Sequence, residues 1–460
     1  MDSYYLAIDI GASSGRHILG HLRNGKIVLE EVHRFENFIV PENGTLTWNI
    51  EHLVNEVILG IAKCNDMGKI PHSVAIDTWG GDYVLLDENK NEVLPAVSYR
   101  DERTFEIMDE LESIISFNEL YARTGIQRQH FNTVYQLFCD KKSGKLQKAA
   151  HLLMMPEYLS FKLTGVIKNE YTEATTGGLV NAETREWDGY IFEKLGYPES
   201  IVKPLCAPGE TVGDFSQEIQ KRVGYNAAVI FAPSHDTASA VAACPIDDSS
   251  VYISSGTWSL IGTENTQPTL SEEARLANFT NEGGAEYRYR FLENIMGMWL
   301  FQNIRKNLNK KYSYDEMMEL AKKSEYKKTF NCGDSSLNAP ESMIDAIKEL
   351  LGEDIDLPDL LSSVYYSLAS SYNSAIKTIE RLSNKEIKNI LIVGGGSKDA
   401  YLNSLTAKIT GKKVLTGITE GTALGNILSQ IMADKKITLN EGRELVKNSF
   451  EIQEIEYAEI

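Results

Sequence analysis

In the stretch A-P-S-H-D-T-A-S-A-V (Ala232 to Val241), a hydroxyl, an imidazole and a carboxylate follow one another at Ser234, His235 and Asp236. A carboxylate can take the proton of an attacking alcohol, and an imidazole can donate to another hydroxyl of the same substrate. A second group of residues suits anions: Gly11 to Gly15, Ser255 to Thr257 and Gly394 to Ser397 are glycine-containing turns. Successive backbone N–H groups in such turns cradle phosphate, and the Ser13, Ser14 and Thr257 hydroxyls add donors. The two groups point to phosphoryl transfer from a nucleotide to an alcohol, a reaction that depends on positioning, charge neutralisation and one base. Asp236 is the candidate base, and helix capping by Ser234 or Asp236 is the plain structural alternative.

Strand and helix signals place these residues. Ala227 to Ala232 is a short apolar run suited to a buried strand, and Thr237 to Ala243 is a run of small residues that opens a closely packed helix. Asp236 then stands at a sheet's carboxyl edge. Tyr5 to Asp9 predicts a strand, His17 to Leu22 a second, and Asn24-Gly25 a type I′ turn into a third at Lys26 to Val32. Gly11 to Gly15 also fits G-x-S-x-G, but a nucleophile elbow needs a helix after the turn, so the meander argues against Ser13 as a nucleophile.

Further on, Trp48 to Lys63 has the apolar spacing of a helix that packs on a sheet. Ser73 to Asp77 predicts a strand opening into Thr78-Trp79-Gly80-Gly81-Asp82, with Tyr83 to Leu86 returning as strand. Trp79 can lie against the C–H face of a sugar or simply pack. Tyr99 to Thr104 reads as a charged turn with local ion pairs, Phe105 to Leu163 as mostly helical, and Glu170 to Val180 as loops. Val251 to Ser254, a small-residue turn and Trp258 to Gly262 repeat the strand, turn and strand of the amino terminus. That repeat predicts two similar domains divided near Cys244, spanning residues 1–243 and 244–460. A long helix over Leu360 to Leu382, a strand over Asn389 to Val393 and a helix opening at Glu420 to Asn426 complete the pattern.

Composition narrows the function. At 460 residues the chain exceeds the usual size of one core, and its net charge of -19 disfavours nucleic acid and anionic membranes as partners. Five scattered cysteines without metal spacing, and no signal-like or membrane-spanning stretch, predict a cytoplasmic protein. There is no G-x-x-x-x-G-K-[ST], and Asp399 occupies the third glycine position of G-x-G-x-x-G after Gly394 and Gly396, so ATP is favoured over NAD. Mg²⁺ would bridge the ATP phosphates largely through water, with Asp9 as the nearby carboxylate.

The sequence resembles the FGGY carbohydrate kinases. The resemblance rests on A-I-D-I-G-A-S-S-G-R (Ala7 to Arg16), I-D-T-W-G-G-D-Y (Ile76 to Tyr83), Y-R-D-E-R-T (Tyr99 to Thr104), S-H-D-T-A-S-A-V (Ser234 to Val241), S-S-G-T-W-S-L (Ser254 to Leu260), N-E-G-G-A-E (Asn281 to Glu286), N-I-M-G-M-W-L (Asn294 to Leu300) and V-G-G-G-S (Val393 to Ser397). It implies an α/β fold of two actin-like, ribonuclease-H-like ATPase domains closing on ATP and a ketose, with phosphorylation of L-rhamnulose at O1; L-fuculose is the alternative sugar. By motif position, Asp236 is similar to the proton acceptor, and Gly80, His235, Asp236, Thr237 and Asn294 to the sugar contacts. Ala12, Ser13, Ser14, Gly15, Arg16, Thr257, Gln302 and Gly396 match the nucleotide side. Asn294 and Gln302 read from the residues alone as parts of a plain amphipathic helix. Gly81 departs from the pattern, which usually has valine there. An actin-like filament protein would share the phosphate turns but need no sugar pocket; Trp79, Asp82, Arg100 and His235 favour the kinase.

Overall fold

The run Y-Y-L-A-I-D-I forms β1 (Tyr4–Ile10), buried along almost its whole length, as a run apolar up to Ile8 should be when a strand is covered on both faces. The computed structural model describes residues 3–338 and 340–455. In it β1 is an inner strand of a six-stranded sheet. Its antiparallel neighbour β2 (Ser14–Arg23) turns at Asn24 and Gly25 into β3 (Lys26–Glu36). Both turn residues have positive φ, 53° and 75°, as the predicted type I′ turn requires. On its other side β1 pairs in parallel with β4 (Pro71–Thr78), which sets Asp9 opposite Asp77 and Ile10 opposite Thr78. Two further strands, β5 (Thr211–Asp214) and β6 (Ala228–Ile230), give the order β5-β6-β4-β1-β2-β3, with β6 parallel to β4.

The helix Ile50–Asp66, capped by the Asn49 side chain, buries Leu53, Val57, Ile58 and Ile61 in one core with Leu6, Ile8 and Ile10 of β1. The helices Asp236–Ala242 and Gly421–Lys435 meet backbone to backbone, since a Cβ at Gly425 would stand 1.7 Å from the Ser239 carbonyl oxygen. Only glycine permits that approach.

The chain divides into two compact units, neither of them a single stretch. The first comprises Met1–Pro245, Asn265–Phe291 and Gly421–Ser449, and the second Ile246–Glu264, Leu292–Glu420 and Phe450–Ile460. Most of the first unit precedes the expected division near Cys244, and the later segments Asn265–Phe291 and Gly421–Ser449 pack with it. The helix at Gly421–Lys435 returns to the first because its small and amide residues pack on β1, β4 and Ser239.

In the second unit, Ser250–Ser255 pairs antiparallel with Trp258–Asn265 and parallel with Asn389–Val393, which pairs parallel with Lys413–Thr416. This is the same hairpin and parallel neighbour as β2, β1 and β4. The helix Leu357–Ser383 starts at an Asp356 cap and buries Leu361, Val364, Leu368 and Ile376.

Two expectations are corrected. Glu170 to Val180, read as loops, contains the helix Tyr171–Thr175, because the Glu170 carboxylate accepts from the Thr172 and Glu173 amides and starts a turn that the Thr-rich composition conceals. Asn294 lies on the strand Tyr289–Met296, and only Gln302 is helical, within Trp299–Asn307.

Candidate active site

Asp9, Thr78 and the Ser234–Asp236 segment stand together at the carboxyl ends of β1, β4 and β6. The Thr78 N–H donates to the Ser234 carbonyl at 2.9 Å, and Thr78 bridges to His235 as in a parallel sheet. His235 is the cap position of the helix Asp236–Ala242 and makes no side-chain capping bond. The Ser234 hydroxyl donates to the Ala232 carbonyl instead. Asp236 is the first helical residue, and its Oδ1 accepts the Thr237 hydroxyl at 3.0 Å. Oδ2 takes no hydrogen bond among the described residues, and the side chain is 32% exposed. Capping therefore does not explain Ser234 or Asp236. The Asp236 carboxylate is oriented through one oxygen and open at the other.

Its surroundings are acidic. Arg16 holds Asp9 through Nε at 3.0 Å and Nη2 at 2.8 Å. Asp77, opposite Asp9 and wholly buried, is pushed well above the usual carboxylate range by burial, then by the charges of Asp9 and Asp236; the Asn426 amide and Arg16 offset part of this. Its Oδ1 has no hydrogen-bond partner among the described residues. No three side chains among the described residues form a metal cage. Paired carboxylates at adjacent strand ends nevertheless fit Mg²⁺, which keeps several water and phosphate ligands.

Around the Gly80-Gly81 turn the roles differ from expectation. Trp79 packs against Trp48 with centroids 4.2 Å apart and the rings tilted by 37°. Both indole N–H groups donate to Asp82 Oδ2, at 2.9 and 2.6 Å, joined by the Tyr99 amide at 3.0 Å, while Gln136 donates to Oδ1 at 2.9 Å. Asp82 is fully buried and saturated, so it fixes the turn and does not serve a sugar. In the Tyr99 to Thr104 segment, Arg100 stays exposed with Nε on the Tyr99 hydroxyl, whereas Arg103 makes a 2.6 Å ion pair with buried Asp140. Gly80 is hemmed in by Thr176, 3.0 Å from where a Cβ would be. Gly81 has φ +90°, a conformation that a β-branched valine resists, so valine would be strained at this turn.

Residues missed in the sequence support Ser234 and His235 from behind. Glu170 Oε2 lies 3.4 Å from the Ser234 amide, and the Thr172 hydroxyl 3.4 Å from the His235 amide. Burial pushes Glu170 up to about 7 despite its hydrogen bonds, and burial followed by Glu170, Glu157 and Asp236 pushes Glu173 well above the carboxylate range. The signal available was a glutamate two residues before a threonine at a helix start.

The remaining predicted residues belong to the second unit. The Met298 and Trp299 amides donate to the Gly256 and Thr257 carbonyls at 3.1 Å, which joins the Thr257 turn to the segment between Asn294 and Gln302. Asn294 Oδ1 is buried without a hydrogen-bond partner among the described residues. The glycine turn after Asn389–Val393 packs on the same hairpin: a Cβ at Gly396 would meet the Ser255 hydroxyl at 1.9 Å, whereas exposed Gly395 has nothing within 4 Å. Gly396 is thus required by packing, and Gly395 offers the open surface.

A strand-end carboxylate open to an alcohol and glycine turns suited to phosphates are what a sugar kinase needs, and the chain belongs to the FGGY family of carbohydrate kinases. Residues 4–243 match the family's N-terminal domain and residues 251–433 its C-terminal domain, the two actin-like ATPase domains expected from the sequence. Among its relatives are rhamnulokinases of Oceanobacillus iheyensis, 45% identical over 98% of both chains, and of Bacillus subtilis, 40% identical over 98% of this chain and 94% of that one. The fold is similar to xylulose kinase from Lactobacillus acidophilus, with TM-score 0.83 and 17% identity over 98% of this chain and 93% of that one. It is also similar to Plasmodium falciparum glycerol kinase with ADP, with TM-score 0.79 and 13% identity over 98% and 94%. No helix among the described residues is long and apolar enough to cross a membrane.

Proposed function

We propose that this chain is a cytoplasmic rhamnulokinase, transferring the γ-phosphoryl group of ATP to O1 of L-rhamnulose. The observation that carries the reading is the Asp236 carboxylate, held by Thr237 on Oδ1 and open at Oδ2. The relatives named rhamnulokinase, alike over nearly the whole chain, supply the sugar.

In this reading Oδ2 of Asp236 takes the O1 proton as the O1–phosphorus bond forms and the bond from phosphorus to the β-phosphate oxygen breaks, releasing ADP. His235, Thr237, the Gly80 backbone and Asn294 hold the ketose hydroxyls. Ala12, Ser13, Ser14 and Gly15 offer the β-hairpin turn to phosphate, with Arg16 and Asp9 beneath it. Mg²⁺ held near Asp9 would supply charge neutralisation at the phosphates. Thr257, Gln302 and the Gly394–Gly396 turn serve the nucleotide.

The test is ADP release with L-rhamnulose, L-fuculose, L-xylulose and D-xylulose. L-Rhamnulose should give the highest kcat/KM, and turnover no better than with the other three would remove the sugar assignment while leaving the kinase class intact.

A further inference from the structure

The N-E-G-G-A-E segment and the following Y-R-Y-R have no part in phosphoryl transfer as described, yet they place two buried charges against His235. Arg290 has no solvent exposure. Its Nε donates to the Gly283 carbonyl at 2.9 Å, and its Nη2 lies 3.0 Å from His235 Nδ1 and 3.0 Å from Glu282 Oε2. A guanidinium has five N–H donors, no acceptor, and keeps its charge at any accessible pH. His235 Nδ1 is also 3.4 Å from Glu282 Oε2, which takes no hydrogen bond among the described residues; the nearer guanidinium N–H makes Nδ1 an acceptor and leaves the ring proton on Nε2. That nitrogen is 3.4 Å from Asp236 Oδ1.

We propose that Arg290, neutralised by Glu282, is a positioning residue that holds His235 as the neutral Nε2–H tautomer, so that the ring presents one donor to the ketose beside Asp236. The opposite tautomer would point the Nδ1–H at a guanidinium N–H 3.0 Å away, with only the Glu282 carboxylate, 3.4 Å off and already paired with Arg290, to receive it. With Nδ1 occupied, His235 has no lone pair left to compete for the O1 proton, which leaves Asp236 as the one base. The ketose part of this inference rests on the proposed function; the tautomer does not.

The experiment is long-range ¹H–¹⁵N correlation of the protein labelled at histidine, with His235 assigned by the signals missing in His235→Asn. The wild-type ring should show an unprotonated Nδ1 and a protonated Nε2 at neutral pH. Arg290→Lys keeps a charge near Glu282 but lacks the fork that reaches both Gly283 and His235. Arg290→Met combined with Glu282→Gln removes both charges together and so strands neither. In both, the ring should become a tautomer mixture and the ketose KM should rise roughly tenfold, as for loss of one oriented hydrogen bond, with the ATP KM unchanged. A protonated Nδ1 in the wild type overturns the proposal even if no variant folds, and so does a variant with wild-type tautomer and ketose KM. Absence of ketose turnover in the wild type would instead count against the proposed function, with the ring spectrum still deciding the tautomer.

Discussion

The Asn426 amide donates to Asp77 Oδ2 at 2.6 Å across 349 residues of sequence, and to the Ala75 carbonyl at 3.1 Å. Asn426 in turn accepts from Gln430, which also donates to the Leu6 carbonyl and accepts from Ser73. This buried chain of amides ties the helix Gly421–Lys435 to β1 and β4 beneath Asp9. Asn426→Leu should lower stability by about 1–3 kcal/mol, the cost of stranding buried polar groups, measured as a denaturation midpoint. Asn426→Asp should cost more, because it adds a carboxylate beside one that burial already opposes.

Asp236→Asn should reduce kcat by about 10²–10⁴, the usual contribution of a positioned acid or base. Because Asp236 makes no capping bond, its thermal midpoint and ATP binding should match the wild type. Turnover close to wild type in this variant would take Asp236 out of the mechanism.

Gly396→Ala and Gly395→Ala should separate packing from nucleotide contact. Alanine at 396 collides with Ser255 and should lower the melting temperature. Alanine at 395 meets nothing and should leave the melting temperature alone while raising the ATP KM. Unchanged ATP KM for Gly395→Ala would place the nucleotide elsewhere.

Burial pushes Glu293, beside Asn294, up to about 7 from its ordinary 4.5. Between those values the folded chain keeps a proton that the unfolded chain has lost, so the contribution of Glu293 to stability falls as pH rises from 4.5 and levels off above 7. Glu293→Gln should therefore gain stability over the wild type at pH 8, by at most about 3 kcal/mol, and gain nothing at pH 4. Melting curves at the two pH values check this, and an equal effect at both would contradict it.

Local signals carried far in this sequence. Asn24-Gly25 specified its turn, the apolar run Asn389 to Val393 matched its strand end to end, and the strand before Ser234 put chemistry at a sheet edge. What stayed hidden depends on distant partners. Asp82 looked like a sugar ligand until two tryptophans, a backbone amide and a glutamine filled it. Glu170 looked like loop composition, because a glutamate two residues before Thr172 is a weak helix-start signal and its contact with Ser234 lies 64 positions away. Glu282 stood within the N-E-G-G-A-E motif, but the role of Arg290 gave no signal because a residue 55 positions from His235 shares no helical or strand period with it.

The backbone contact of Gly425 with Ser239 also has a consequence for how the chain is made. The ribosome releases the first unit's sheet early, but the helix that covers it, Gly421–Lys435, comes only after the intervening second-unit segments. At about 5–20 residues per second, the apolar underside of β1 and β4 waits some tens of seconds for its lid. Nascent chains stalled before Gly421 should therefore remain chaperone clients and protease-sensitive, and those extended past Ser449 should not.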